Sequence, residues 1–215
     1  SSASSFAALV VAASAAGGRP RRVDELAGLA GRASGSAARS LYGGFVELRN
    51  DGDGIAVSTL LEGEAWPLRI VAAVTSQAPK PVSSGEAMEL SRKTSPFYSR
   101  WLEEQDMDLS TARDAITVRD FGKLASVAEH NCLKMHSVMW ASRPPVVYWN
   151  AATLACLESV RALQAEGVDA FFTIDAGPQV KVICPPGDEP RVVDALSNTD
   201  GVEAVLASGI GSGAA

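Results

Sequence analysis

The chain has 215 residues, of which 47% are hydrophobic and 20% charged, with a formal net charge of −6 at pH 7. That length can bury a core as one large domain or two small ones. No apolar run approaches the roughly 20 residues needed to cross a bilayer, so no membrane role is expected. The acidic balance argues against a nucleic-acid partner, but leaves anionic small molecules open because a pocket's local field can oppose the net sign.

Residues 6–16 are alanine-rich and apolar, stopped by Gly17 and Gly18, and predict a buried helix preceded by capping serines. The hydroxyls of Ser1, Ser2, Ser4 and Ser5 stand where a helix start exposes unpaired N–H groups, which suits a phosphate or simple N-capping. Asp24 and Glu25 open a short helix ending near Gly31. Residues 45–49 and 55–60 flank Asn50-Asp51-Gly52-Asp53-Gly54, a strong hairpin signal. Residues 68–75 read as a buried strand, and the proline-bearing loop 77–85 as a domain transition.

Residues 88–141 read as helical. In the last helix Phe121, Leu124, Ala128, Cys132, Met135 and Met139 form one core stripe. His130 falls with Glu129 and Asn131 on a polar face, His136 is packed or solvated, and Arg92, Lys93 and Arg100 are assigned to a solvated face. Trp101, Trp140 and Trp149 read as packing anchors. After Pro144-Pro145, residues 146–149 form an extended segment, and 154–166 a helix closed by Gly167. Residues 171–174 and 180–184 read as antiparallel strands joined at Asp175, followed by a helix over 188–197, a strand over 202–207 and a frayed glycine-rich tail. The second half thus has a β–α–β–β–α–β order, the pattern of an α+β sandwich. Cys132, Cys156 and Cys184 make no CxxC pair, so zinc is disfavoured and reduced thiols in a cytosolic protein are expected.

Two stretches carry chemistry. Residues 35–44 combine small residues, hydroxyls and Arg39, whose guanidinium can fork onto a carboxylate or phosphate; a structural ion pair is the competing reading. Asp175-Ala176-Gly177-Pro178 places a carboxylate in a turn, either against that anion or merely as an Asx-type turn residue.

Four segments resemble the diphosphomevalonate decarboxylases of the GHMP kinase superfamily. Residues 1–8, Ser-Ser-Ala-Ser-Ser-Phe-Ala-Ala, resemble the end of the phosphate loop G-L-x-S-S-A. Residues 33–45 resemble G-S-G-S-A-x-R-S and the aromatic-flanked glycine pair after it. Val82-Ser83-Ser84, with Met88 and Lys93-Thr94-Ser95-Pro96, resembles S-S-x-x-G-M and E-T-S-P, and residues 172–180 resemble F-T-x-D-A-G-P-N. Ala33 replaces a glycine, Gln179 an asparagine, and Gly85-Glu86-Ala87 differ from the family pattern. The family's A-x-K-Y-W-G-K segment is not found, so a piece of a longer enzyme, inactive alone, is expected.

The resemblance implies an α+β, GHMP kinase-like two-layer fold with an incomplete N-terminal half (residues 1–76) and a ferredoxin-like C-terminal α/β sandwich (77–215). It implies ATP-dependent decarboxylation of mevalonate 5-diphosphate, with ATP and Mg2+, in a cytoplasmic homodimer. Arg39 would hold the substrate carboxylate and Asp175 would face the 3-hydroxyl as base or orienting acceptor. Ser34, Gly35, Ser36, Ser83 and Ser84 would bind substrate, a plain turn competing at Ser83 and Ser84. Ser1 and Ser2 would meet the ATP phosphates, with Ser2 also at the metal. Rival readings are a monophosphate decarboxylase, a 3-kinase-like paralogue, and a non-catalytic fragment or interaction module.

Overall fold

In the computed structural model, residues 2–18, 21–50 and 55–214 are described, without the side chains of Ser2 and Asn50. Residues 1, 19–20, 51–54 and 215 lie outside them, and with 51–54 the centre of the expected hairpin. The chain divides into two compact units, Ser1–Pro67 with Ile210–Ala215, and Leu68–Gly209.

The first unit contains α1 (Ser2–Ala16), α2 (Val23–Ala33), α3 (Gly35–Arg39) and the antiparallel pair β1 (Phe45–Asn50) and β2 (Ile55–Leu61). Acidic Asp24 and Glu25 occupy the first turn of α2, where they favour the positive end of the helix dipole. The core is small, built from Ala7, Ala27, Ala30, Ala37, Ala38 and Leu41, with Leu48, Ile55 and Val57 packed against it. Alanine at these positions lets helix backbones approach closely. The buried helix expected over residues 6–16 is corrected: among the described residues of α1 only Ala7 is buried, while Phe6 and Leu9 are exposed. Ala7 and Val11, with Ser4, Ala8 and Ala12 of the same helix, also line an open, mainly apolar concavity of about 390 Å³ together with Ser40 and Ala214.

The tail is not frayed as expected. Gly44 N–H donates to Gly211 O at 3.2 Å, and Ala214 N–H to Leu41 O at 3.1 Å. These bonds account for Gly43 and Gly44. A Cβ on Gly43 would stand 2.5 Å from Gly213 N, and one on Gly44, at φ +75°, 2.3 Å from Leu61 O.

The second unit runs β3 (Arg69–Val74), α4 (Ser84–Thr94), α5 (Tyr98–Val118), α6 (Phe121–Trp140), α7 (Ala151–Ala165), β4 (Phe171–Thr173), β5 (Val180–Cys184), α8 (Glu189–Ser197) and β6 (Ala204–Gly209). Its sheet has the order β4-β5-β3-β6 with antiparallel pairing throughout, so the β–α–β–β–α–β reading gives a ferredoxin-like sandwich. α7 lies against β4 and β5, α8 against β3, β5 and β6, and the two helices touch. Alternation on β5 buries Val180, Val182 and Cys184 against Cys156, Val160 and Leu163 of α7 and Val192 and Leu196 of α8.

The unit boundary falls before β3, not in the loop 77–85, because β3 is hydrogen-bonded on both sides to strands of the second unit. The 88–141 block is three helices, interrupted after Thr94 and again at Arg119, which takes the left-handed conformation (φ 57°). The cysteines are free and buried.

Candidate active site

Arg39 belongs to the first unit and Asp175 to the second. In the first unit α2 ends as Ser34 turns extended (φ −164°, ψ 126°), and Ser34 O accepts from Ala37 N–H at 2.9 Å to start α3. Ala37 and Ala38 are wholly buried, so the same turn presents Ser36, Arg39 and Ser40 outward. The hydroxyls of Ser34 and Ser36 are 2.9 Å apart, and Ser40 Oγ donates to Ser36 O at 2.9 Å. Arg39 is exposed and has no ion-pair partner among the described residues. A cation beside three hydroxyls, on a short rigid segment, can receive an anion. α1 begins at Ser2.

In the second unit the chain leaves β4 at Ile174 and turns through Asp175 before β5. Hairpin register pairs Thr173 with Lys181, and Lys181 Nζ donates to Asp175 Oδ2 at 2.5 Å while the Asp175 side chain remains 83% exposed. The turn is held from several sides. Gln179 Oε1 accepts from Thr75 N–H at 2.7 Å, and Gln179 Nε2 donates to Ser76 O at 2.5 Å. Thr75 and Thr153 hydroxyls both donate to Pro178 O, at 3.1 and 2.8 Å. Gly177 sits at φ 97°, and a Cβ there would meet Tyr148, Trp149 and Ile174 at 3.4 Å.

Ser83 and Ser84 come to the same region through Tyr148. The Tyr148 hydroxyl donates to Val82 O at 3.0 Å, and Val82 and Ala176 pack against the cluster of Ala87, Met139, Val146 and Tyr148. Burial, then the nearby Glu86, pushes the Tyr148 hydroxyl above its usual pKa, keeping it a donor. Ser83 caps α4: its Oγ accepts from Glu86 N–H at 3.2 Å, and Ser83 N–H donates to Glu86 Oε2 at 3.0 Å. These bonds hold the Glu86 carboxyl below its usual pKa. The plain-turn reading of Ser83 thus becomes a capping box, in which the Ser83 side chain and backbone both bond Glu86. Ser84 is exposed at the first helical position. Thr94 is structural, donating to Leu90 O and accepting from Arg143 N–H, each at 2.8 Å.

Ser1 lies outside the described residues and the Ser2 side chain is not described, so the phosphate and metal roles read for them rest on sequence. Among the described residues no cluster of three or more His, Cys, Asp or Glu could hold a metal. Sequence reasoning missed Lys181, although strand alternation and the hairpin register together would have put it beside Asp175. It also placed Glu129 on a polar face, whereas Glu129 is buried and pairs with Arg161 at 2.6 Å.

Residues 70–207 match the model of the mevalonate 5-diphosphate decarboxylase C-terminal domain, and residues 1–59 that of the diphosphomevalonate decarboxylase-like N-terminal domain. Diphosphomevalonate decarboxylase of Candida albicans is 32% identical over 202 residues, 91% of this chain and 56% of that protein. The mevalonate diphosphate decarboxylase structure from Staphylococcus aureus superposes with a TM-score of 0.90 at 34% identity, covering 99% of this chain and 65% of that one. A structure of MDDEF in complex with MVAPP, AMPPCP and magnesium gives 0.90 at 33% identity, covering 99% and 66%. The chain spans about half the length of the curated relatives it matches.

Proposed function

The chain belongs to the diphosphomevalonate decarboxylase family, and from that premise we propose that it carries the substrate-handling part of an ATP-dependent decarboxylase converting mevalonate 5-diphosphate to isopentenyl diphosphate. The observation that carries the reading is the Asp175 turn, whose carboxylate is exposed while its backbone is clamped by Thr75, Thr153 and Gln179. A rigid loop with an accessible carboxylate is what positional catalysis asks for.

Hydroxide is a poor leaving group, so the tertiary 3-hydroxyl is first phosphorylated. Its proton passes to Asp175 as the new O–P bond forms, since a carboxylate is too weak a base to deprotonate a tertiary alcohol beforehand. The C3–O bond then breaks with loss of phosphate. The C1–C2 bonding electrons become the C2=C3 double bond and CO2 departs. Arg39 holds the substrate carboxylate through its fork until that bond breaks. Ser34, Gly35 and Ser36 line its segment, Ser83 and Ser84 donate to the diphosphate, and Lys181 fixes the Asp175 carboxylate while adding a cation near a polyanionic substrate. Mg2+ bound with ATP supplies charge neutralisation on the phosphates. Ser1 and Ser2 would meet the ATP phosphates, and Ser2 would also meet the metal. We extend the proposal to a homodimer in the cytoplasm, in keeping with three buried free thiols.

The test is incubation of the protein, its intact mass established alongside, with ATP, Mg2+ and mevalonate 5-diphosphate, measuring CO2 and phosphate together. Equimolar release supports the reading. ADP without CO2 indicates a 3-kinase, CO2 only from the monophosphate indicates the paralogue, and no turnover by a 215-residue product indicates a non-catalytic module.

A further inference from the structure

Strand β4 is an edge strand with only β5 beside it, so alternate backbone groups on its outer side have no sheet partner. Residues 172 and 174 share the same parity and face that side. Helix α6 meets them with side chains at positions 129, 132 and 136, spaced three and seven residues apart, which is one helix face. Phe172 N–H donates to Glu129 Oε1 at 3.2 Å. Ile174 N–H donates to Cys132 Sγ at 3.3 Å, and the thiol donates back to Ile174 O at 3.6 Å. His136 Nε2 lies 3.2 Å from the same Ile174 oxygen. Three side chains of one helix therefore replace the missing neighbouring strand, and the last of them grips the carbonyl immediately before Asp175.

The protonation of His136 follows from its neighbours. Its ring is fully buried, Nδ1 has no partner, and Trp149 Nε1 lies 3.3 Å from Nε2. A carbonyl can only accept, so bonding Ile174 requires the hydrogen on Nε2, which leaves Trp149 facing the ring without a hydrogen bond to it. The opposite tautomer satisfies the indole but takes the ring donor from Ile174 O and orphans Nδ1–H in a side chain that is 0% exposed; the Nε2–H tautomer orphans instead the N–H of Trp149, which is only half-buried, the smaller cost. Burial also pushes the His136 pKa below its usual value, in spite of the bond to Ile174 O and the nearby Asp175, and raises that of the Cys132 thiol. Both groups are neutral donors.

We propose that His136, as the Nε2–H tautomer, is a positioning residue for Asp175: with Cys132 and Glu129 it fixes the free edge of β4 and so the direction in which Asp175 leaves the strand. This rests on the reading of Asp175 as the group facing the substrate hydroxyl. The tautomer is tested on the full chain by long-range 1H–15N correlation of the imidazoles, with His136→Gln identifying the resonance. The role is tested by kinetics of His136→Leu, which removes the donor, and His136→Gln, whose amide N–H can replace Nε2–H. The expected result is an Nε2–H pattern, a fall in kcat of about 10- to 100-fold in His136→Leu with KM little changed, and recovery of most of kcat in His136→Gln. A Nδ1–H tautomer, equal losses in both variants, or a loss confined to KM would overturn the proposal. Should His136→Leu not fold, the wild-type tautomer and the His136→Gln rate decide, a kcat for the latter near that of Asp175→Asn counting against it. If the wild type releases neither CO2 nor ADP, the activity reading and the positioning role fail together, while the tautomer separately decides whether His136 anchors Ile174.

Discussion

Gly44 lies in the motif that carries the arginine, yet its surroundings assign it to stability. It sits at φ +75°, and an added Cβ would stand 2.3 Å from Leu61 O, 3.0 Å from Gly63 N and 3.1 Å from Glu62 Cα. All three are backbone atoms, so no rotamer change relieves the contact. Left-handed backbone costs a non-glycine residue about 1–2 kcal/mol, and forcing a packed segment apart adds about 1–3. Gly44→Ala should therefore destabilise by roughly 3 kcal/mol, lowering the melting temperature by about 6–12 °C for a protein of this size. Gly28→Ala is the control: nothing lies within 4 Å of its Cβ position inside α2, and helix propensity should raise stability by about 0.5–1 kcal/mol. Thermal unfolding followed by circular dichroism measures both. Gly44→Ala within about 0.5 kcal/mol of wild type, the range of inconsequential surface changes, would refute the clash argument.

Asp175→Asn should reduce CO2 release by about 10²–10⁴-fold while leaving ATP and substrate affinity largely intact; near-normal release would remove Asp175 from the mechanism. Arg39→Lys keeps the charge but loses the fork, and should lower kcat/KM by at least about tenfold, the equivalent of one charge-assisted hydrogen bond; unchanged kinetics would reject bidentate binding. Glu129→Ala leaves the buried Phe172 N–H without its acceptor and should destabilise by about 1–3 kcal/mol in urea titration, whereas an unshifted midpoint would show that the bond is dispensable. The His136 pKa is depressed below 6.5 in the folded chain, chiefly by burial, with Ile174 O and the Asp175 carboxylate opposing and Lys181 reinforcing. The unfolded chain then takes up a proton that the folded chain refuses. Stability is thus full above about pH 6.5 and falls as pH drops below it. Melting temperatures between pH 7.5 and 5 should fall more steeply for wild type than for His136→Gln, and parallel slopes would count against it.

What the sequence determined by itself was local or periodic. Alternation on Val180, Val182 and Cys184 marks a strand whatever it pairs with, Asn150 and Thr153 form a capping box within one turn, and the motif around Arg39 and the Asp175 turn is contiguous in the chain. The tertiary structure alone decided features that depend on what arrives from far away. α1 is rich in alanine and valine, so its pattern reads as buried, but among its described residues only Ala7 is fully covered, with Val10 and Val11 partly buried against the alanine core. Glu129 has polar neighbours in sequence and is buried because Phe172, Gln164 and Arg161 come to its carboxylate. β3 joins the second unit because β5 and β6, over a hundred residues later, hydrogen-bond to it. Burial and hydrogen-bond satisfaction belong to pairs of distant groups, and a one-dimensional pattern records only one member of each pair.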